Sequence, residues 1–329
     1  MKNILSDTSM FPVVSDLQKD TLEFVKIDPN EIGQYNHLFQ AEQQGSIEPK
    51  LPKIKFKISD LILVNRDHLS NPPIIFHHAF CGSTYVAKAL RKQFYVVPLM
   101  EPNGYIGIND NPINNDLVSL LNFLYSRKIR FFHKNLLKLS DLTSNLIGIK
   151  PFSRCKAVFI YIPLEEFLYL ATKKERHAWL KERMLGRELK EFINFHNLKI
   201  NDDIFMMATC WWAWQISNYL NQEDNIKAGN LRALNFSNIK TNKNLIHSTG
   251  KHLGLIKRAL PLQFIGKNDF EFHSKAPNMA FDFEVRDRQI NNLRQAFERK
   301  GIYASHYLSH ASNLLGISVT KLSLIGEII

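Results

Sequence analysis

The order of elements in residues 71–90 constrains the fold of this chain more than any other feature. The stretch reads NPPIIFHHAFCGSTYVAKAL. Two prolines precede a short apolar run at 74–78, a loop of small residues follows, and apolar residues then recur at helical spacing over 83–92. A buried strand, a glycine-containing turn and a helix in this order are typical of an open α/β sheet.

The same alternation continues along the chain after residue 90. Apolar runs predict further strands at 94–100, 145–150, 156–162 and 230–236. Helical patterns occupy 115–126 and much of the lysine-spotted stretch after it, 165–187 as one helix or a pair, 204–220, 242–253 and the tail from 286. We therefore expect a three-layer α/β fold of the P-loop type, with a mainly parallel sheet of about five strands between helices.

The first 70 residues have a different pattern from the rest. They mix short strand-like pieces with polar turns, and they contain no recognisable chemical motif. The sequence predicts an N-terminal extension of short strands over residues 1–70 and one α/β domain over residues 71–329.

The chain is basic, with a formal net charge of +11. A basic balance favours anionic partners such as nucleotides or phosphate esters. The lysines are nevertheless spread along the whole chain, so a solvated surface explains them better than a nucleic-acid stripe, and we expect no nucleic-acid partner. A hydrophobic fraction of 45% is enough for a sizeable core.

Cysteine usage and hydropathy bear on the compartment. The three cysteines are far apart and form no CxxC pair, which argues against a disulfide framework or a zinc site and fits a reducing cytoplasm. The N-terminal apolar run is too short for a signal peptide. Residues 204–220 are uncharged but contain Thr209 and Gln215, so a buried helix is favoured over a membrane span. We expect a cytoplasmic protein.

The loop AFCGST at 79–84 is the candidate ligand site. A strand, a turn with glycine and a helix opening with Ser-Thr bring backbone N–H groups to the positive end of a helix, where a phosphate can bind. A Walker A loop would require glycine at His77 and lysine at Ser83, so that motif does not match. A tight strand-to-helix turn that uses the conformational freedom of Gly82 explains the same residues. The local pattern leaves both interpretations open.

Several segments resemble the sulfotransferase-like family of the P-loop superfamily, in the order in which that family has them. FHHAFCGSTYVAKAL resembles its 5′-phosphosulfate-binding loop. The later segments are Glu101-Pro102, IKPFS at 149–153, FIYIPLEEFLYLAT at 159–172, LRALNFSNIKTNKNLIHSTGKHLGL at 231–255 and HSKAPNMAFD at 273–282, the last resembling bacterial members. The resemblance covers about residues 71 to 290.

This resemblance implies a reaction and a set of ligands. The reaction is sulfuryl transfer from 3′-phosphoadenosine 5′-phosphosulfate to a hydroxyl or amine of a small-molecule acceptor, with no metal ion. The nucleotide would contact the loop, whose residues are Phe80, Cys81, Gly82, Ser83 and Thr84. Lys150 and Lys275 are candidate cations for it, although either is also explained as an ordinary lysine at a strand end or in a loop.

Sulfuryl transfer needs a group that accepts the acceptor's proton. Glu101 stands where some sulfotransferases place a glutamate base, and it also suits the first residue of a turn. His77 and His78 are adjacent on a strand, so they should point to opposite faces, one buried and the other free to face the site. We name Glu101 and His78 as candidate catalytic residues.

Three donors of the family pattern are missing from this chain. Phe80 stands where the family has a loop lysine, while Tyr161 and Tyr169 stand where an arginine and a serine bind the 3′-phosphate. These departures leave two other functions open. One is an ATP- or GTP-dependent phosphotransferase, which needs acids to hold Mg²⁺. The other is a non-catalytic interaction module of the same fold. The sequence decides neither catalytic activity, the acceptor, nor the oligomeric state.

Overall fold

The computed structural model describes residues 2–28, 52–65, 71–102, 104–105, 114–129, 133–200, 202–259, 272–273, 276–280, 282–320 and 322–329. The N-terminal part contains α1 (Lys2–Ser6), β1 (Met10–Asp16), β2 (Thr21–Lys26), β3 (Lys53–Lys57) and α2 (Ile58–Asn65).

The elements of the large sheet and its helices follow in chain order. They are β4 (Ile74–His77), α3 (Ser83–Gln93), β5 (Val96–Met100), α4 (Asn115–Ser126), β6 (Lys134–Lys138), a 3-10 helix (Asp141–Gly148), α5 (Lys150–Ser153), β7 (Ala157–Tyr161), α6 (Leu164–Ala171), a 3-10 turn (Lys174–Arg176), α7 (His177–Arg183), α8 (Arg187–Phe195), α9 (Ile204–Leu220), α10 (Glu223–Lys227) and β8 (Leu231–Asn235).

The remaining elements complete the chain. They are a 3-10 helix (Phe236–Ile239), α11 (Asn244–His252), the short strands β9 (Phe272–His273) and β10 (Ala276–Ala280), α12 (Phe283–Glu298) and α13 (Ala304–Leu315).

Five parallel strands form the central sheet, in the order β5-β6-β4-β7-β8. Every residue of β4 and β7 is buried, as expected for parallel strands covered by helices on both faces. The three-layer α/β architecture predicted from the sequence is confirmed. The chain leaves β4 for β5 and β6 on one side and then for β7 and β8 on the other. Open α/β sheets bind ligands at such a switch point, outside the carboxyl ends of the strands.

The prediction of the third strand at 145–150 is wrong. Those residues lie in the 3-10 helix Asp141–Gly148 and at the start of α5. The strand is instead β6, within the stretch expected to be helical. Its middle residues Leu136 and Leu137 are fully buried, and the Asn135 amide donates hydrogen bonds to the carbonyls of Tyr125 and Arg127. The lysines at both ends of this short strand obscured its apolar centre.

The stretch 165–187 forms a pair of helices, the second of the two predicted alternatives. It is divided into α6, the 3-10 turn and α7. Helix α9, in contrast, has the predicted bounds, and it begins because the Asp203 carboxylate accepts hydrogen bonds from the N–H groups of Phe205 and Met206. Among the described residues, no helix combines the length and apolar character that crossing a membrane requires.

The N-terminal strands form a separate antiparallel sheet in the order β1-β2-β3. This sheet is docked on the end of α4. The Tyr125 hydroxyl donates to the Pro12 carbonyl at 2.6 Å, and the Arg127 guanidinium donates to the carbonyls of Ile4 and Asp7 at 2.8 and 2.7 Å. One hydrophobic core contains residues from both sides of position 70, so a domain division there stays a proposal.

Candidate functional site

Three polar side chains converge at the carboxyl edge of the sheet, where β5, β6 and β4 end side by side. Lys138 is the last residue of β6 and His77 the last of β4, while Glu101 directly follows β5. The Lys138 ammonium donates a hydrogen bond to Glu101 Oε1, and His77 Nε2 lies 3.9 Å from the same oxygen. The parallel register, in which Met100 pairs with Lys138, produces this convergence.

The pair formed by Lys138 and Glu101 is largely removed from water. Lys138 is 1% exposed and the Glu101 side chain 16%. An isolated buried ammonium would lose several kcal/mol of hydration free energy. The Glu101 carboxylate offsets this loss and so allows Lys138 to be buried. The Glu101 backbone has a left-handed φ of 49°, and its N–H donates to the Lys138 carbonyl at 2.6 Å. A non-glycine residue in that conformation costs about 1–3 kcal/mol, and such strain is concentrated at functional sites.

One ring nitrogen of His77 faces the pair formed by Lys138 and Glu101 and carries a lone pair. Its Nδ1 lies 2.9 Å from the His78 carbonyl, which can only accept, so Nδ1 carries the proton and Nε2 a lone pair. Nε2 is buried, and no hydrogen-bond partner for it exists within the described part of the chain. Burial, reinforced by the Lys138 charge and opposed by Glu101, lowers the pKa of His77 to about 4. The imidazole is therefore neutral at pH 7.

His78 has a different environment from its neighbour. Its Nδ1 donates to the Ala79 carbonyl at 2.7 Å, and its Nε2 accepts from the Ile162 N–H at 2.8 Å. Burial lowers the pKa of His78 to about 3. Both ring nitrogens thus hold the loop to the end of β7. Sequence reasoning named His78 as the catalytic candidate, whereas the structure brings His77 to Glu101.

The loop at 79–84 connects β4 to the first turn of α3. Gly82 has a left-handed φ of 77° and Phe80 one of 62°. No acceptor within the described residues takes a hydrogen bond from the backbone N–H groups of Phe80, Cys81 or Gly82. The backbone and the hydroxyl of Ser83 favour the thiolate of Cys81 and act to lower its pKa. Burial nevertheless raises the pKa of Cys81 to about 11, so Cys81 is a thiol at neutral pH and no nucleophile.

An aromatic ring lies directly over the loop. A Cβ atom added to Gly82 would be 2.3 Å from Cζ of Phe236, which follows β8. The rings of Tyr85 and Phe283 pack against Phe236 at centroid distances of 5.8 and 5.4 Å. Position 82 therefore needs glycine both for its backbone conformation and for the close approach of this ring.

Positive charge reaches the loop from distant segments. Both terminal nitrogens of Arg286, on α12, donate to the Phe80 carbonyl at 3.2 Å, and Nη2 lies 3.5 Å from Glu166 Oε2. The Arg176 guanidinium lies 4.0 Å from the centre of the Phe80 ring. Burial together with the charges of Arg176 and Arg286 lowers the pKa of Lys173. Arg286 and Arg176 thus bring positive charge to Phe80 from segments that no loop motif contains.

The remaining predicted residues lie as follows. Lys150 is exposed at the start of α5, before β7 begins, and not at the carboxyl end of a strand as expected. Lys275 lies outside the described residues. The Tyr161 hydroxyl donates to Glu327 at 2.8 Å, and the Tyr169 ring stacks on Phe297, so both tyrosines are engaged by their own chain.

No metal-binding constellation is present among the described residues, in the sense of three or more His, Cys, Asp or Glu side chains grouped to hold one ion.

No family model matches this chain, and no curated protein matches its sequence. Among solved structures, a sulfotransferase from Alicyclobacillus acidocaldarius aligns with 76% of this chain and 97% of its own, at 11% identity and a TM-score of 0.35. Similarity of that size carries no argument about this chain.

Proposed function

We propose that this protein transfers a sulfuryl group from 3′-phosphoadenosine 5′-phosphosulfate to a small hydroxyl- or amine-bearing acceptor, at the carboxyl edge beside the 79–84 loop. The observation that carries the proposal is the Arg286 guanidinium on the Phe80 carbonyl. It supplies a buried cation at the loop position where the sequence lacks one, and a phosphosulfate is an anion that such a cation stabilises.

The residues at the loop fit the phosphosulfate end of this donor. The N–H groups of Phe80, Cys81 and Gly82 would bind its oxygens at the start of α3, with the half-buried Thr84 beside them. Arg286 would stabilise the negative charge that develops on the departing phosphate.

Binding of the 3′-phosphate of this donor would require cations other than those of the family pattern. Tyr161 and Tyr169 are engaged within the chain, so they do not replace the family's donors. Lys173 and Arg176, which lie close enough to Arg286 to share its electrostatic influence, are the cations that could bind a second phosphate.

The acceptor would lie on the other side of the loop, against β5 and β6. Two proton acceptors are present there, the Glu101 carboxylate and the neutral imidazole of His77. Lys138 holds the carboxylate and contributes positive charge at the reacting centre. The acceptor oxygen or nitrogen would bond to sulfur while the bond from sulfur to the nucleotide phosphate breaks in line.

Calorimetric titration with 3′-phosphoadenosine 5′-phosphate, beside ATP with Mg²⁺, tests this proposal. We expect micromolar binding of the bisphosphate and a 10- to 100-fold weaker affinity in Arg286→Gln, the equivalent of losing a charge-assisted hydrogen bond of about 1.5–3 kcal/mol. Arg288→Gln, an exposed change on the same helix, should bind normally. Binding of ATP with Mg²⁺ alone would instead indicate the phosphotransferase alternative.

A non-catalytic interaction module is the second candidate, and the Phe236 ring favours it. That ring fills the space beside Gly82 that a Cβ atom would occupy, on the loop proposed to bind phosphate. A folded protein that binds neither nucleotide in the same titration would support this alternative.

A further inference from the structure

Helix α13 carries two histidines one helical turn apart on its outer face. His306 and His310 are four positions apart, and no other two of the twelve histidines in the chain have a spacing of three or four. Residues with that spacing are neighbours on the same face of a helix. The two rings meet at a centroid distance of 4.7 Å, with an angle of 80° between their planes. The two imidazoles are therefore in direct contact.

The ring nitrogens of this pair remain available to a ligand. His306 is exposed and His310 is half-buried. Within the described part of the chain, neither side chain forms a hydrogen bond or an ion pair, and their contacts are with each other and with the ring of Tyr307. A neutral imidazole has one nitrogen with a lone pair, which is the atom that binds a transition metal. Each histidine can therefore contribute one ligand atom.

The charge distribution around the pair favours a cation. Residues 301–320 contain no Lys, Arg, Asp or Glu, although the chain has a formal net charge of +11. Helix α9, which packs against α13, is also uncharged from Ile204 to Leu220. Tyr307 lies between the two histidines in sequence, but it is buried and its hydroxyl donates to Asp203 at 3.2 Å. A divalent ion at the pair would thus meet no lysine or arginine on its own helix.

The distance between the rings agrees with chelation of one ion. A metal about 2.0–2.1 Å from an imidazole nitrogen lies about 3.2 Å from the ring centre, so two rings at an angle of about 90–109° around one ion have centres about 4.5–5.2 Å apart. The observed 4.7 Å lies within this range. Water can complete the coordination at an exposed position, so the pair needs no third side chain.

We propose that His306 and His310 together bind one divalent ion of the transition metals that favour imidazole ligands, namely Cu²⁺, Ni²⁺ or Zn²⁺. This site is independent of the proposed sulfuryl transfer, and its ion has no role in that reaction. The two ligands flank Tyr307, which contacts Asp203 at the start of α9. Because both ligands must stay on one helical face, the bound ion stabilises α13 in the conformation that docks on α9.

Calorimetric titration of the full chain with Ni²⁺ tests the site, on protein purified without a histidine tag. We expect one ion to bind per chain with a micromolar Kd. His306→Gln and His310→Gln should each weaken binding at least 10-fold, because one of two imidazoles is lost. His196→Gln, a control at a half-buried histidine on another helix, should leave the affinity unchanged. No binding at millimolar Ni²⁺, or an unchanged affinity in both variants, would overturn the proposal.

Electron paramagnetic resonance with one equivalent of Cu²⁺ tests whether both rings bind the same ion. The hyperfine pattern should report two imidazole nitrogens in the wild-type protein and one in His310→Gln. A single nitrogen in the wild-type protein would contradict the chelate.

Amide hydrogen exchange tests the effect of the ion on α13. At a Ni²⁺ concentration of 100 times Kd, exchange in α13 should slow about 100-fold, because opening the helix breaks the chelate. Exchange in β7 should not change. An α13 that exchanges equally fast with and without Ni²⁺ would refute the stabilisation of this helix.

Discussion

At the scale of single residues, Gly82 combines two requirements, a left-handed backbone and the close approach of a neighbouring ring. Its φ of 77° is unfavourable for any other residue, and the Phe236 ring leaves no space for a Cβ atom. Gly301 has a similar φ of 73°, but no described heavy atom lies within 4 Å of its added Cβ. Comparing substitutions at Gly82 and Gly301 therefore separates the cost of a left-handed backbone from the cost of a steric clash.

We predict that Gly301→Ala lowers the free energy of unfolding by about 1 kcal/mol, the cost of a left-handed backbone alone. Gly82→Ala should lower it by more than about 2 kcal/mol, because the ring must also move. Urea denaturation of both variants measures the difference. Equal losses would contradict the packing of Phe236 on Gly82.

The two buried histidines should make stability depend on pH. Their pKa values are about 4 and about 3 in the folded protein, against 6.5 for an ordinary histidine. The unfolded chain therefore binds more protons, and stability is lost as pH falls below about 6.5. From pH 7 to pH 5 each histidine should contribute a loss of about 2 kcal/mol.

Denaturation at a series of pH values checks this dependence. His77→Gln should remove about half of the histidine contribution, because His78 remains. A stability that stays flat between pH 7 and pH 5 would contradict neutral, buried imidazoles at these positions.

At the scale of elements, the sequence predicts best where local signals agree. Helix α4 has its predicted bounds because the Asn114 side chain caps its first turn and the apolar period is regular. The prediction of a strand at 145–150 is wrong because a short apolar run has too few residues to distinguish helical from strand periodicity. For β6, pairing with two neighbouring strands decided the structure, and no local pattern reports such pairing.

The residues of the candidate site also differ in whether a local sequence pattern points to them. Glu101 and the loop were proposed from the sequence because a strand end and a strand–turn–helix unit are local features. Lys138 meets Glu101 across 37 residues and Arg286 meets Phe80 across 206, so only the folded topology brings these pairs together.

Helix α9 offers a test of a single element. Asp203 accepts from two N–H groups of its first turn and from the Tyr307 hydroxyl at 3.2 Å. Asp203→Ala should lower the free energy of unfolding by about 1–2 kcal/mol, whereas Asp203→Asn, which keeps a capping oxygen, should retain most of it. Thermal denaturation compares the two, and equal effects would show that the cap is not what stabilises this end.

At the scale of the whole molecule, Arg127 joins the N-terminal segment to the end of helix α4. Its guanidinium donates to the carbonyls of Ile4, Asp7 and Met10, and its Nε to Leu124. Burial lowers the pKa of Arg127 to about 10, so the side chain remains charged at neutral pH. One side chain thus satisfies several carbonyls of the N-terminal segment, which the Tyr125 hydroxyl also holds through Pro12.

We predict that Arg127→Met loosens this segment without unfolding the central sheet. Amide hydrogen exchange in β1 and β2 should accelerate at least 10-fold, while β7 keeps its protection. Arg154→Met, at an exposed position, is the matched control. Unchanged exchange in β1 would show that the other contacts, among them Tyr125 with Pro12, dock the N-terminal sheet without Arg127.

The ring over Gly82 has a consequence for the rate at which a ligand can enter. Phe236 is fully buried between Tyr85 and Phe283, with Arg286 5.4 Å from its ring centre. A ligand that approaches Gly82 from the side where a Cβ atom would lie must displace that ring, so its entry would wait on a rearrangement of the protein itself. The observed association rate should then reach a maximum as ligand concentration rises. That maximum equals the rate at which the Phe236 ring moves away from Gly82.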